Sequence, residues 1–220
     1  MDTYFNQIFT DGLHVGKTDN LIKNKDEYKS TIDKLKSIPL TEENYSCRYQ
    51  IIDTVNHDSL LKLSQIEERD MLVRENNLTV FQKWFTINHS YQIELLKSYF
   101  REEIRGMILK LYPDLNDGAE FSDTFTLYTD GDFILPHADG ENVGRRCVII
   151  IYLSDISDYN DGGGNFVGYQ NNGEIYVTPT SDNFVILDFT KGNPEHWVTP
   201  VKNGFKRYSY ICFVNKQKVH

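Results

Sequence analysis

The sequence predicts an α+β protein, helical in its first half and an antiparallel jelly roll of the cupin type in its second. Three observations carry that prediction. Up to Tyr112, apolar residues recur near the 3.6 period. From Phe121 the period becomes 2, in short apolar runs separated by turn residues. The two regimes follow one another instead of alternating, which disfavours βαβ units and sets helices against one β-domain. The expected division is a mainly helical support region over 1–120 and a β-core over 121–220, in one compact domain overall.

Taken in order, residues 1–24 are polar and irregular, and no element is assigned there. Lys25 to Ser37 reads as a helix, with Tyr28, Ile32 and Leu35 on one side and a stop before Pro39. Thr41 to Asn44 fits a cap or turn, and Tyr49-Gln50-Ile51-Ile52-Asp53 a short strand. Asp58 to Arg69 has helical spacing at Leu60, Leu61, Leu63 and Ile66, with His57 at its start. Asn88 to Tyr112 is the strongest helical stretch. Its apolar stripe runs through Tyr91, Leu95, Leu96, Tyr99, Phe100, Ile104, Met107, Ile108 and Leu111, and Pro113 ends it. Phe125 to Phe133 reads as strand, tight turn, strand. Val148 to Leu153 and Phe184 to Phe189 are buried-strand runs. His196 to Val201, a turn at Asn203-Gly204, and Arg207 to Val214 close the pattern. Asp155 to Glu174 is rich in Asp, Asn and Gly and is expected to be a loop, either a lid or a plain solvated connection.

At 220 residues the chain can bury one sizeable core, and 40% hydrophobic with 25% charged residues is ordinary for a soluble globular protein. The net charge of −9, with no basic run, disfavours a nucleic-acid substrate, whose phosphates call for a basic face. Cys47, Cys147 and Cys212 are odd in number and widely spaced, so no disulfide framework is expected. The start of the chain lacks the pattern of a secretory leader, and no apolar run approaches the ~18–20 residues that span a bilayer. A cytoplasmic protein with no membrane partner is expected.

Histidine is scarce, which makes Leu135-Pro136-His137-Ala138-Asp139-Gly140 informative. Side chains at i and i+2 leave the same face of a strand, so His137 and Asp139 can meet one metal ion. His196 completes a set of two nitrogens and one carboxylate. That facial arrangement leaves neighbouring coordination positions open and is associated with non-haem Fe(II) oxygenases.

The ordered motifs extend well beyond these three residues. They are Tyr128-x-x-Gly131-x-Phe133, His137-x-Asp139, Arg145 through Tyr152-Leu153-Ser154, Gly163-Gly164, His196-x-Val198-x-Pro200-Val201, and Gly204 with Arg207-x-Ser209. Together, over roughly Phe121 to Val214, they resemble the 2-oxoglutarate- and Fe(II)-dependent dioxygenases, in particular the prolyl 4-hydroxylase-like branch. The resemblance implies a double-stranded β-helix core, jelly-roll or cupin-like, buttressed by the N-terminal helices. It implies Fe(II) held by His137, Asp139 and His196, with 2-oxoglutarate and O2 as cosubstrates, and leaves room for ascorbate as an accessory reductant. It places Arg207 and Ser209 at the far carboxylate of 2-oxoglutarate, with the hydroxyls of Tyr128 and Tyr152 as further contacts. Lys206 is the competing cation, because much of the branch has its basic residue ten positions after the distal histidine. Strand parity and the R-x-S match favour Arg207, the extra residue being absorbed at Asn203-Gly204. After Gly163-Gly164 this chain has Asn165-Phe166 where the family often has Glu then Thr or Leu. In related halogenases a small residue replaces the carboxylate of Asp139, so its presence implies hydroxylation. The implied reaction is hydroxylation of an unactivated C–H bond, foremost that of a prolyl residue in a peptide or protein. A free amino acid or small metabolite is the alternative substrate, and a non-catalytic cupin-like binder the alternative of another class.

Overall fold

A computed structural model describes residues 12–51, 59–61, 80–115, 118–139, 144–170 and 173–216. Among the described residues, two α-helices pack on an antiparallel sheet of twelve strands that curls into a nearly closed barrel, consistent with the double-stranded β-helix.

Helix α1 (Lys25–Lys36) starts at Asn24, whose side chain accepts the Glu27 amide hydrogen, and buries Thr31, Ile32 and Leu35. Helix α2 (Tyr91–Leu111) starts at Ser90, whose hydroxyl accepts the Ile93 amide hydrogen, and buries Ile93, Leu96, Phe100, Ile104 and Ile108. Spacings of three and four residues hold that row on one face. Tyr91 and Leu95, expected in the stripe, stand 81% and 54% exposed, because helical periodicity places them on the face of α2 opposite the buried row. Phe100 anchors the packing. It stacks on Tyr210 at 4.7 Å between ring centroids and meets Phe125 edge-on at 5.7 Å. Arg101 grips the carboxylate of Asp123 with Nε and Nη2, and the Tyr210 hydroxyl donates to the same group at 2.7 Å. The helices therefore lie on the outer face of the sheet.

The sheet contains β1 (Leu13–Lys17), β2 (Tyr45–Ile51), β3 (Ser59–Leu61), β4 (Val80–Ile87), β5 (Ala119–Tyr128), β6 (Phe133–His137), β7 (Arg145–Tyr152), β8 (Phe166–Gln170), β9 (Gly173–Val177), β10 (Asn183–Asp188), β11 (His196–Val198) and β12 (Arg207–Lys216). One half of the barrel runs β1-β10-β7-β12-β5 and the other β6-β11-β8-β9. Strand β4 joins them, pairing with β5 at Phe85↔Leu127 and with β6 at Gln82↔Ile134. Strands from the first 120 residues thus seal the barrel, and the support region is not helical alone.

Several expectations need correcting. The polar stretch 1–24 contains β1, which pairs with β10 from Leu13↔Leu187 to Lys17↔Asn183. Within the helical pattern over 58–69, Ser59–Leu61 is a strand paired with β2; the rest, and His57, lie outside the described residues. The expected loop 155–174 ends in a hairpin, with β8 and β9 paired from Phe166↔Val177 to Gln170↔Gly173. Asn203 and Gly204 both have positive φ, 60° and 71°, so the turn before β12 is as tight as that pair allows.

Candidate active site

Parity along β12 decides what faces the barrel interior. Tyr208, Tyr210 and Cys212 join the core beneath the helices. Arg207, Ile211 and Phe213 line an interior cavity of about 510 Å³, and Lys206 is exposed. His137, Asp139, His196 and Tyr128 line the same cavity.

The two histidines are cross-strand partners at the start of β11 and the end of β6, with ring centroids 4.3 Å apart. Asp139 lies two residues past the end of β6, so the third group comes from the chain leaving the strand. The Asp139 carboxylate stands 3.9 Å from His137 Nε2 and 3.7 Å from His196 Nε2. One ligand atom from each residue falls within 4.8 Å of the other two. Each Nδ1 is engaged elsewhere. His137 Nδ1 lies 2.9 Å from the Leu135 carbonyl oxygen, and His196 Nδ1 lies 3.1 Å from that of Pro194. Donation to those carbonyls fixes the tautomer that leaves Nε2 as a lone-pair donor. Two such nitrogens and a carboxylate oxygen, converging without hydrogen-bonding one another, suit a divalent cation. Phe166 stacks on the His196 ring at 5.4 Å and holds its plane.

His196 is 4% exposed. Burial, helped by the adjacent His137 ring and opposed by Asp139, pushes its imidazole down to about 4. In the unfolded chain an imidazole takes a proton near ~6.5, so between those values the unfolded state binds more protons. The metal-free protein should keep its full stability above pH 6.5. It should lose on the order of 3 kcal/mol of this contribution as the pH falls to about 4. Urea unfolding at stepped pH, with ring nitrogen shifts read by NMR, checks this; a His196 ring already protonated at pH 6 would contradict it.

The base of the cavity is cationic. Arg207 is 1% exposed. Its Nε donates to the Gly164 carbonyl at 2.8 Å and its Nη1 to Ser209 Oγ at 3.0 Å. The guanidinium lies 4.6 Å from the Tyr128 ring centre and 5.1 Å from that of Tyr152. Burial raises both tyrosine hydroxyls above their usual range, partly offset by the Arg207 charge, so both remain protonated donors. The double glycine makes room for this arrangement. Gly163 and Gly164 have φ of 64° and 63°, a Cβ on Gly163 would stand 2.1 Å from the Pro200 carbonyl oxygen, and one on Gly164 3.0 Å from Arg207 Cδ.

One wall of the cavity comes from residues that sequence reasoning missed: Arg48 and Gln50 on β2, and Gln82, Trp84 and Thr86 on β4. Trp84 stacks on Tyr128 at 5.7 Å with the rings 5° from parallel, and the Arg48 guanidinium carbon lies 6.0 Å from the Trp84 ring centre. Its indole N–H donates to Gln82 Oε1, and the Gln82 amide donates to Gln50 Oε1, each at 3.0 Å. A tryptophan followed at i+2 by a small polar residue was the available signal.

Residues 124–215 match the family model described as the 2OG-Fe(II) oxygenase superfamily. The matched segment is the one that carries His137, Asp139, His196 and Arg207. No curated protein matches the chain. Among solved structures, it is similar to a prolyl hydroxylase from Trichoplax adhaerens, solved with a peptide fragment of the hypoxia inducible factor oxygen degradation domain. That likeness has 15% identity, a TM-score of 0.62, and covers 96% of this chain and 86% of the other. A prolyl-4-hydroxylase from Pseudomonas putida has 17% identity and a TM-score of 0.52, with 98% of each chain covered. A viral collagen prolyl hydroxylase from Paramecium Bursaria Chlorella virus-1 has 12% identity and a TM-score of 0.50, covering 95% of this chain and 98% of the other. At these identities the likeness is one of fold. Similarity to that superfamily implies Fe(II), 2-oxoglutarate and O2 as reaction requirements. Among the described residues, no helix is long and apolar enough to cross a membrane.

Proposed function

We propose that this protein is a 2OG-Fe(II) oxygenase that hydroxylates an unactivated C–H bond of a prolyl residue in a peptide or protein. The observation that carries the reading is a converging His137–Asp139–His196 set in the same cavity as the buried Arg207. Fe(II), held by the Nε2 atoms of the two histidines and the Asp139 carboxylate, would couple oxidative decarboxylation of 2-oxoglutarate to oxygen insertion into the substrate. The protein's own part is placement. The Leu135 and Pro194 carbonyls keep both imidazoles aimed inward. Arg207, with Ser209, Tyr128 and Tyr152, takes the distal carboxylate, and Gly164 holds the guanidinium in place. Ile134, Val198 and Phe166 exclude water around the reacting bond. Asp139 occupies the ligand position a halide would need, which favours hydroxylation over halogenation. The prolyl substrate is supported by the likeness to prolyl hydroxylases in fold.

A free amino acid or small metabolite is the second reading, favoured by a cavity of about 510 Å³, within the range of small-molecule sites. Succinate release measured with Fe(II), 2-oxoglutarate and ascorbate against a panel of prolyl peptides and free amino acids separates the two. Stimulation by prolyl peptides is the expected result; stimulation by amino acids alone would move the substrate to the second reading.

A further inference from the structure

The donor shell around Arg207 holds one hydroxyl that neither motif nor packing accounts for. Thr126 sits on β5 directly opposite Ser209 of β12, two pairs along from Tyr128↔Arg207 and therefore on the same sheet face. On the other side of Ser209, β7 places Tyr152. Thr126, Ser209 and Tyr152 thus form one cross-strand row beside Arg207. Phe125 and Leu127 belong to the core beneath the helices, so Thr126 faces the barrel interior with Tyr128. Its side chain is fully buried, and its hydroxyl has no hydrogen-bond partner. The Tyr152 hydroxyl, likewise buried, makes no well-formed hydrogen bond. Ser209 Oγ accepts from Arg207, which leaves its own hydrogen free to donate. Most buried hydroxyls find a partner, so an unpartnered Thr126 hydroxyl in one row with Ser209 and Tyr152, beside a buried cation, calls for an acceptor.

We infer that Thr126 is a further ligand of the distal carboxylate of 2-oxoglutarate. This rests on the functional reading above. A carboxylate offers about four lone-pair sites on two oxygens. The guanidinium, Ser209, Tyr128 and Tyr152 donate from around them, and the Thr126 hydroxyl adds a further donor from the Ser209 row. The role is specific to the terminal carboxylate. It should distinguish 2-oxoglutarate from 2-oxopentanoate, which has the same chain length and 2-oxo acid but no terminal carboxylate.

The test is anaerobic calorimetric titration into Mn(II)-loaded full-length protein, with thermal unfolding of the metal-free, ligand-free forms. Thr126→Val keeps the shape and deletes the hydroxyl. It should weaken 2-oxoglutarate binding about tenfold or more, as a lost hydrogen bond to a charged group does, and leave the weaker 2-oxopentanoate binding unchanged. Thr126→Ser should restore most of the affinity. Without ligand, Thr126→Val should unfold at the same or a higher temperature than wild type, because it removes an unpaired buried polar group; its 2-oxoglutarate-induced rise in unfolding temperature should be smaller. A purely structural threonine would lower the ligand-free unfolding temperature instead. Wild-type affinity in Thr126→Val, or a matching loss for 2-oxopentanoate, overturns the assignment alone. If wild type itself fails to bind 2-oxoglutarate, the functional reading falls and the assignment with it.

Discussion

Replacing His196 with alanine should abolish stoichiometric Fe(II) binding. His196 is the most buried of the three converging groups, and it contributes one of only two nitrogens. Removing even an outer partner of a metal ligand typically costs 10–100-fold in affinity, so deleting a ligand should cost at least about a hundredfold. The truncation also empties a space between the Phe166 and His137 rings, so folding must be checked separately by circular dichroism. Asp139→Ala, at a half-buried position, tests the same claim with less disturbance of packing. Metal analysis of anaerobically loaded protein reads the outcome. One equivalent of iron in folded His196→Ala would remove this residue from the site.

The second large effect concerns Arg207. Arg207→Ala should raise the 2-oxoglutarate requirement by roughly a hundredfold, while Lys206→Ala changes it little. Loss of one partner from a buried charged hydrogen-bonded pair costs about 2–5 kcal/mol, and each 1.4 kcal/mol is tenfold. The guanidinium is preorganised before any ligand arrives, fixed by the Gly164 carbonyl, by Ser209 and by two tyrosine rings. Little ordering entropy then remains to oppose binding. Lys206 faces solvent, and its contribution to the fold is a backbone carbonyl that accepts from the Ser154 hydroxyl. Arg207→Lys should be nearly as damaging as alanine, because an ammonium cannot reproduce the planar fork. The apparent constant for 2-oxoglutarate in succinate release is the measurement. A strong effect at Lys206 with none at Arg207 would place the cosubstrate's cation on the other face of β12.

The candidate metal ligands were legible because histidine is rare in this chain and the flanking motifs fall in order. The orientation of β12 was legible from parity, since Arg207, Ser209, Ile211 and Phe213 share one face. Strand β4 was not. It turns Gln82, Trp84 and Thr86 toward the cavity and Phe85 and Ile87 toward the core, so the usual rule of apolar inside and polar outside gives no clear period. Strand β1 is five residues long and makes its ladder with β10 near the far end of the chain, a pairing that local pattern cannot anticipate. Thr126 was invisible for another reason. In sequence it is an ordinary strand threonine, and only the register against Ser209 places it beside Arg207.

One cavity is expected to hold both a metal ion and a 2-oxo dicarboxylic acid. Anaerobic calorimetric titration of 2-oxoglutarate into wild-type protein, with and without one equivalent of Fe(II), tests it most directly. The expected result is one 2-oxoglutarate per chain, bound tightly only when the metal is present. Binding of equal strength without metal, or none in either condition, would contradict the account.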